Sequence, residues 1–169
     1  MNPPMPHEQS SWSNNYVSLV KSDVLNTLEN QATEFPAFIK SIAHLENYAY
    51  AHNKWTIKEM LGHIIDVERV FAYRALCIAR NEKENLPSMD EDNYVLATDF
   101  SRRTLIDLCE EFEALRKANM YLFKSFNDEV LNNIGIAGNN SISVRTLIFV
   151  SAGHVIHHIN IIKERYLNA

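Results

Sequence analysis

Apolar side chains recur at three- and four-residue steps along most of the chain, which is the period of an amphipathic α-helix. Four segments carry this pattern, at residues 16–42, 57–80, 105–126 and from about 143 to the C-terminus. Pro36 falls within the first segment and is expected to kink or interrupt that helix, because proline lacks the amide hydrogen. Strand-like alternation is not convincing anywhere. The pattern therefore predicts an all-α four-helix bundle.

The start of the second helix has a clear signal. Thr56 is followed three residues later by Glu59, the spacing of a capping box in which each side chain bonds the other residue's backbone amide. Helix two is therefore expected over residues 57–80, and His63 falls in its second turn.

The remaining segments are expected to be connections. Residues 81–100, with Pro87 and three consecutive acidic residues, show no sustained period, and so long a connection is uncommon unless it is functional. We expect it to lie over a site. Residues 135–140 form a turn-rich break before helix four. Residues 1–15 are expected to be a flexible tail, and residues 16–169 a single bundle domain, whose longer connections allow sequential helices to be non-neighbours.

Composition and charge argue against several classes of function. The 169 residues carry 16 Lys and Arg against 21 Asp and Glu, a formal net charge of -5, which argues against a nucleic-acid surface. No apolar run approaches the ~20 residues of a membrane span, and the opening residues lack the parts of a signal peptide, so a cytoplasmic protein is expected. The four glycines form no phosphate-binding loop. Cys77 and Cys109 have no disulfide or zinc spacing and are expected to be buried or incidental thiols.

The histidines are the strongest candidates for chemistry. With 100° per residue, His154 and His158 border the apolar face of helix four, and His63 lies at the same kind of edge on helix two. If the two helices are neighbours, three imidazoles converge on one point. His157 falls on the opposite side and is expected to be exposed. Such a set suits zinc, nickel or another first-row divalent ion. A histidine at a core edge is more often a hydrogen-bonded packing residue, so periodicity leaves both interpretations open.

Charged residues on helix two also require partners. Asp66 is turned away from the apolar face and is expected to be solvated or paired with Arg69 rather than to bind a metal. Glu68 and Arg74 lie on or near the buried stripe, where an unpaired charge is costly. We expect a structural salt bridge from Glu68 to Arg145 or Arg74 in preference to a catalytic role.

Two residues of the long connection are weaker candidates. Asp92 and Tyr94 could reach the mouth of the site and hold substrate, although polar loop residues are usually only solvated. His7, His44 and His52 fall outside the predicted helical faces and are expected to be solvated.

Segments 55–68 and 153–159 together resemble the DinB superfamily, which includes the YfiT-like metal-dependent hydrolases. The shared pattern is a Trp-Thr opening to helix two, a histidine near its second turn, a following Asp-x-Glu, and a His-x-x-x-His pair in helix four. The resemblance spans essentially the whole chain. It implies an up-down-down-up bundle, frequent homodimers, and a divalent metal bound by His63, His154 and His158. Characterised relatives include transferases that join low-molecular-weight thiols to electrophiles.

These observations support one leading function and two alternatives. The leading hypothesis is a metal-dependent hydrolase or low-molecular-weight-thiol S-transferase acting on a small-molecule substrate, with zinc or nickel in the three-histidine site and a thiol as a possible cofactor. No cysteine lies near the histidines to serve as a nucleophile. The first alternative is a non-catalytic, stress-related metal- or ligand-binding bundle. The second is a structural dimer without metal.

Overall fold

The computed structural model describes residues 1–168. Within that range the chain forms seven α-helices, one two-stranded antiparallel sheet and several short 3₁₀ or π turns. The helices are α1 (Ser11–Val17), α2 (Val24–Ser41), α3 (Ile57–Ala79), α4 (Glu91–Leu96), α5 (Leu105–Lys124), α6 (Asp128–Leu131) and α7 (Val144–Ile161), and the strands are β1 (Ile134–Ala137) and β2 (Asn140–Ser143).

The four long helices, α2, α3, α5 and α7, form the predicted bundle. The most extensive contacts join α2 with α5 and α3 with α7, and further contacts join α3 with α5 and α2 with α7. Helices α2 and α3, which follow one another in sequence, are therefore not among the extensively packed pairs. This arrangement places the helix that carries His63 directly beside the helix that carries His154 and His158.

Side-chain caps set where the bundle helices begin. Thr56 Oγ1 accepts a hydrogen bond from the Glu59 amide at 3.2 Å, and the Thr56 amide donates to Glu59 Oε2 at 2.7 Å, which confirms the predicted capping box. Ser143 Oγ accepts from the Thr146 amide at 3.0 Å at the start of α7. Both site-bearing helices thus start at defined residues.

The predicted first helix is wrong in its boundaries. The stripe that begins at Tyr16 belongs to two helices, because α1 ends at Val17 and α2 starts only after Asp23, whose carboxylate accepts from the Asn26 amide at 3.1 Å. Pro36 does not end α2, which continues to Ser41. Burial of Phe35 and Ile39 stabilises the last turns and offsets the hydrogen bond that the proline cannot donate.

The expectation that strands are absent is also wrong. The break at 135–140 is the centre of a hairpin in which Ile134 pairs with Ser143 and Ala137 with Asn140. Gly138 and Asn139 both have positive φ, 56° and 64°, as a two-residue turn matched to strand twist requires. Four-residue strands are too short to show alternation against a helical background. The connection at 81–100 likewise contains the short helix α4.

Residues 1–15, expected as a tail, pack against α7 in this structure. Glu8 and Ser13 are buried, and Thr146 Oγ1 donates to the carbonyl oxygen of Glu8 at 2.9 Å. Gly153 allows the close approach of α1, since a Cβ there would lie 2.2 Å from the carbonyl oxygen of Tyr16. The N-terminal segment therefore closes one side of the bundle beside the histidines.

The buried apolar side chains fall into two clusters. One lies around the C-terminal half of α3 and the first half of α7, and the other lies where the N-terminal half of α3 meets α2 and α5. None of the helices within residues 1–168 is both long and apolar enough to cross a membrane.

Candidate metal centre

Three buried imidazoles meet between α3 and α7. His154 Nε2 lies 3.1 Å from His63 Nε2 and 3.1 Å from His158 Nε2. His63 and His154 are 91 positions apart in sequence, His154 and His158 are four apart, and all three residues are at most 7% exposed. The structure thus brings together the three histidines that the sequence singled out, each on the helix edge where the periodicity placed it.

Hydrogen bonds alone cannot satisfy the converging ring nitrogens of this cluster. An imidazole nitrogen carries either one hydrogen or one lone pair, so His154 Nε2 forms one good hydrogen bond at a time but has two nitrogen neighbours. In addition, Nδ1 of His63 and Nδ1 of His158 are buried and have no hydrogen-bond partner among residues 1–168. Because the Nε2 atoms are the ones that converge, a cation at their centre would leave these Nδ1 atoms as N–H donors. What the centre itself lacks is a component that accepts several lone pairs at once.

A divalent cation has the required property. At a metal–nitrogen distance of about 2.0–2.1 Å, two ligand nitrogens lie about 2.9 Å apart at a right angle and about 3.3 Å apart at the tetrahedral angle. The two 3.1 Å separations fall between these values. The two separations at His154 therefore suit ligands of one divalent metal, and the third histidine pair lies within 4.8 Å.

Electrostatics keep the three rings in the metal-binding form. Burial lowers the pKa of His63 to about 4, and it lowers the pKa of His154 and of His158 well below the ordinary value of 6.5. The mutual proximity of the rings adds to the effect. Neutral imidazoles keep a free lone pair at neutral pH, which is the form that binds a metal.

His157 is placed differently from the expectation of full exposure. It is half-buried, because α1 covers this face of α7 and sets the ring of Tyr16 edge-on to it at 5.5 Å between centroids. Burial lowers its pKa as well. Its nitrogens do not belong to the cluster of His63, His154 and His158.

A cavity of about 360 Å³ opens onto the cluster. Its walls come from α1, α3, α7, the hairpin and the connection that precedes α4. The lining residues that bear on function are Trp12, Tyr16, Phe71, Arg74, Glu91 and His157, together with the three clustered histidines. The volume falls in the range of small-molecule sites, and the site has an open side toward which a ligand can approach.

Both alternative partners predicted for Glu68, Arg145 and Arg74, are wrong. Glu68 receives two hydrogen bonds from Arg116 of α5, at 2.8 and 2.9 Å, and a third from Asn119 at 2.9 Å. Arg116 also donates to Gln31 of α2 at 2.7 Å, and Gln31 donates to the carbonyl oxygen of Ala152 at 2.9 Å. All four bundle helices meet in this network, one turn before His154.

Arg145, one of the two predicted partners, bonds to other residues. It pairs with Glu8 at 3.3 Å and donates to Asn132 at 2.5 Å, because the N-terminal segment lies against α7. The expected pairing of Asp66 with Arg69 is confirmed at 3.7 Å, and Asp66 lies outside the histidine cluster. A structural role for Glu68 holds, although its partner is on a helix that sequence alone did not place beside it.

The residues of the long connection that line the cavity differ from the predicted ones. Glu91 lines it, whereas Asp92 and Tyr94 do not. Tyr94 instead lines a neighbouring cavity with Arg74 and Pro87. The sequence did not identify Trp12 and Tyr16 as cavity residues, because α1 lies across the boundary between the expected tail and the expected first helix. Two aromatic residues four positions apart also carry no functional signature.

The cysteines and remaining histidines carry no chemistry toward this site. Cys109 is buried beside the carbonyl oxygen of Pro36, and burial raises the pKa of its thiol to about 11, so it is inert. Cys77 is half-buried and does not line the cavity. His7, His44 and His52 are exposed, as expected.

Comparison with known proteins supports the family and the fold of the chain. A family model of the DinB superfamily matches residues 22–162. Among solved structures, YfiT from Bacillus subtilis, described as a probable metal-dependent hydrolase with an unusual four-helix bundle topology, superposes with a TM-score of 0.71 at 15% sequence identity, covering 99% of this chain and 93% of that one. No curated protein matches the chain.

Proposed function

The chain belongs to the DinB superfamily, and we propose that within it this protein is a metal-dependent enzyme, a hydrolase or a low-molecular-weight-thiol S-transferase. The observation that carries the proposal is the convergence of three buried, neutral imidazoles on one point at the floor of a cavity. Nε2 of His154 contacts Nε2 of both other histidines, and a cation satisfies these two contacts at once whereas a single hydrogen atom does not.

Three protein ligands favour chemistry over a purely structural ion. Structural zinc sites are closed by four protein ligands, whereas catalytic sites have three and keep one position for water or substrate. Within residues 1–168 no cysteine or carboxylate joins His63, His154 and His158 as a fourth ligand. Imidazole-only ligation suits zinc or nickel.

A divalent ion bound there supplies Lewis-acid chemistry and lowers the pKa of a water or a thiol beside it, an activation step that hydrolysis and thiol transfer share. His63, His154 and His158 provide the three lone pairs and present them from two packed helices. The network of Glu68 and Arg116 lies one turn below and holds the backbone of α7 in register.

The cavity walls provide the remaining functions. Trp12 and Phe71 pack edge-on to one another, with 6.2 Å between ring centroids, and make one side of the cavity apolar. Burial, and secondarily the charge of Glu91, raises the pKa of Tyr16, so its phenol stays protonated at neutral pH. The Tyr16 hydroxyl can therefore donate a hydrogen bond to an oxygen of a bound small molecule.

Activity assays on metal-loaded protein test the proposal. The full chain, loaded with zinc or nickel, is assayed against a panel of activated esters and amides, and against cysteine and other small thiols paired with electrophiles such as monochlorobimane. We expect turnover with at least one panel, loss of that turnover in EDTA, and recovery when the metal is returned.

His154→Ala and Tyr16→Phe separate the roles. His154→Ala is expected to abolish activity together with metal content, whereas Tyr16→Phe is expected to lower activity at full metal content. A bound metal that stabilises the fold while both panels stay blank would contradict the proposal and favour the non-catalytic metal-binding bundle.

A further inference from the structure

Arg74 is the one guanidinium among residues 1–168 that lines the cavity above the histidine cluster. It lies on α3, as His63 does, eleven residues further along. Eleven residues advance the helix by about 16 Å and rotate it by only about 20° beyond full turns, so the two side chains leave α3 on the same side. The walls of one cavity therefore connect a metal-ligating histidine with a cationic side chain.

No carboxylate neutralises Arg74. It is 9% exposed, yet within residues 1–168 no Asp or Glu oxygen lies within 4.0 Å of it, although seven other basic side chains on the chain have such a partner. The hydrogen bond that it does make runs from Nη2 to the carbonyl oxygen of Pro87 at 2.5 Å. Buried arginines are rarely without an ionic partner, because a desolvated charge is costly.

The surroundings of Arg74 accentuate this imbalance. Burial lowers the pKa of Arg74, and the group that opposes this shift is the nearby Tyr94 hydroxyl rather than an Asp or Glu. The acidic side chain on the same cavity, Glu91, is exposed at the rim, and its charge acts on Tyr16 instead. The positive charge inside the cavity is therefore available to a ligand.

We infer that Arg74 binds a carboxylate group of the small molecule whose other end reaches the three histidines. The planar guanidinium fork matches a carboxylate in geometry, and the hydrogen bond to Pro87 fixes the orientation of the fork. Trp12 and Phe71 contact the apolar middle of the molecule. The inference rests on the proposed function in one respect, that this cavity is where the substrate binds.

The substrate class follows from this geometry. It is a small carboxylic acid whose reacting group and carboxylate are several bonds apart, because the two ends of the cavity derive from helical turns about 16 Å apart and both side chains reach inward. Neutral analogues of the same size lack the ionic contact and leave the guanidinium desolvated, so they bind more weakly.

A matched pair of probes tests the inference without catalysis. 4-Phenylbutyrate and 4-phenylbutyramide share an aromatic ring and a linker and differ only in charge. Their dissociation constants are measured by calorimetry or ligand-observed NMR on the full chain after EDTA treatment, so that the carboxylate has no metal to bind. We expect the carboxylate to bind at least about 10-fold more tightly than the amide.

Variants assign the preference to Arg74. Arg74→Gln is expected to abolish the difference between the two probes, and Arg74→Lys to retain part of it, since lysine keeps the charge but not the fork. Arg80→Gln, at the exposed C-terminal end of the same helix, is the matched control and is expected to keep the wild-type preference. Glu91→Gln is expected to keep or increase it. Circular dichroism verifies that each variant is folded.

Three results would overturn the inference: equal binding of both probes to the wild-type chain, no binding of either probe, or an unchanged preference in folded Arg74→Gln. Because metal is removed, these results are independent of the proposed function, which fails instead if no metal binds the histidines or no turnover occurs. A carboxylate preference in a protein without metal-dependent activity would leave Arg74 as the anion site of a ligand-binding bundle.

Discussion

His154 contacts two other histidines through the same nitrogen atom, and this single detail distinguishes a metal site from ordinary packing. A packing histidine has one partner for each ring nitrogen. Here Nε2 of His154 has two, the Nε2 atoms of His63 and of His158. A cation at the centre uses all three converging lone pairs, so the residue-scale chemistry favours metal binding.

The same burial makes the metal-free protein sensitive to acid. The pKa of His63 is about 4 in the folded chain and about 6.5 in the unfolded chain, so between these values the unfolded state binds more protons. The free energy of unfolding therefore falls as the pH falls from 6.5 toward 4, by up to about 3 kcal/mol for His63. Urea unfolding of EDTA-treated protein at pH 7.5, 6.5, 5.5 and 4.5 measures this loss.

Variants identify the source of that loss. His63→Asn is expected to lessen the dependence on pH between 6.5 and 5.5, above the ordinary pKa values of carboxylates, whereas the exposed His52→Asn is expected to leave it unchanged. A stability that stays flat or rises as the pH falls through this window would show that the cluster is not held neutral.

Helical periodicity identified these residues because their orientation is a local property. At 100° per residue, the sequence places His63, His154 and His158 at helix edges without knowledge of the rest of the fold. Partners across the bundle are not local. Glu68 was correctly expected to form a buried ion pair, but the choice of Arg116 depends on α5 packing against α3, which no helical wheel contains.

At the scale of elements, the long helices were predictable and the short ones were not. Helices α3 and α5 extend over about the lengths that their apolar stripes predict, since many turns share one pattern. Helix α1 has seven residues and each hairpin strand has four, too few for a period to emerge. Tertiary contacts fix these elements, which form the cavity walls together with α3 and α7.

The network of Glu68, Arg116 and Gln31 ties the four long helices together beneath the site. Because Arg116 is fully buried, Arg116→Met leaves the Glu68 carboxylate buried without its cation. Removing one partner of a buried pair costs about 3–5 kcal/mol. We expect a loss of that size in the free energy of unfolding, measured by urea denaturation of the metal-free chain.

A double variant tests whether the loss reflects an unpaired charge. Glu68→Leu combined with Arg116→Met removes both charges, and it is expected to be more stable than Arg116→Met alone. Lys117→Met, on the exposed face of the same helix, is the matched control and is expected to change stability by less than about 1 kcal/mol. If Arg116→Met behaves like Lys117→Met, the network does not stabilise the bundle.

At the scale of the whole molecule, the order of helix packing determines the site. The extensive contact of α3 with α7, the last long helix of the chain, brings residues 91 positions apart to within 3.1 Å. The N-terminal segment, the hairpin and the connection before α4 then surround that point with a cavity. The site therefore depends on the topology, because each helix by itself only places its histidines at the edge of its apolar face.

The most direct test of this account is the metal content of the purified chain and four histidine variants. Each protein is dialysed against zinc or nickel, freed of unbound ion and analysed by mass spectrometry, with circular dichroism to verify folding. We predict one ion per wild-type chain, strong loss in His63→Ala, His154→Ala and His158→Ala, and near-wild-type content in the matched control His157→Ala. Equal losses in all four variants, or a wild-type chain that retains no metal, would contradict the account.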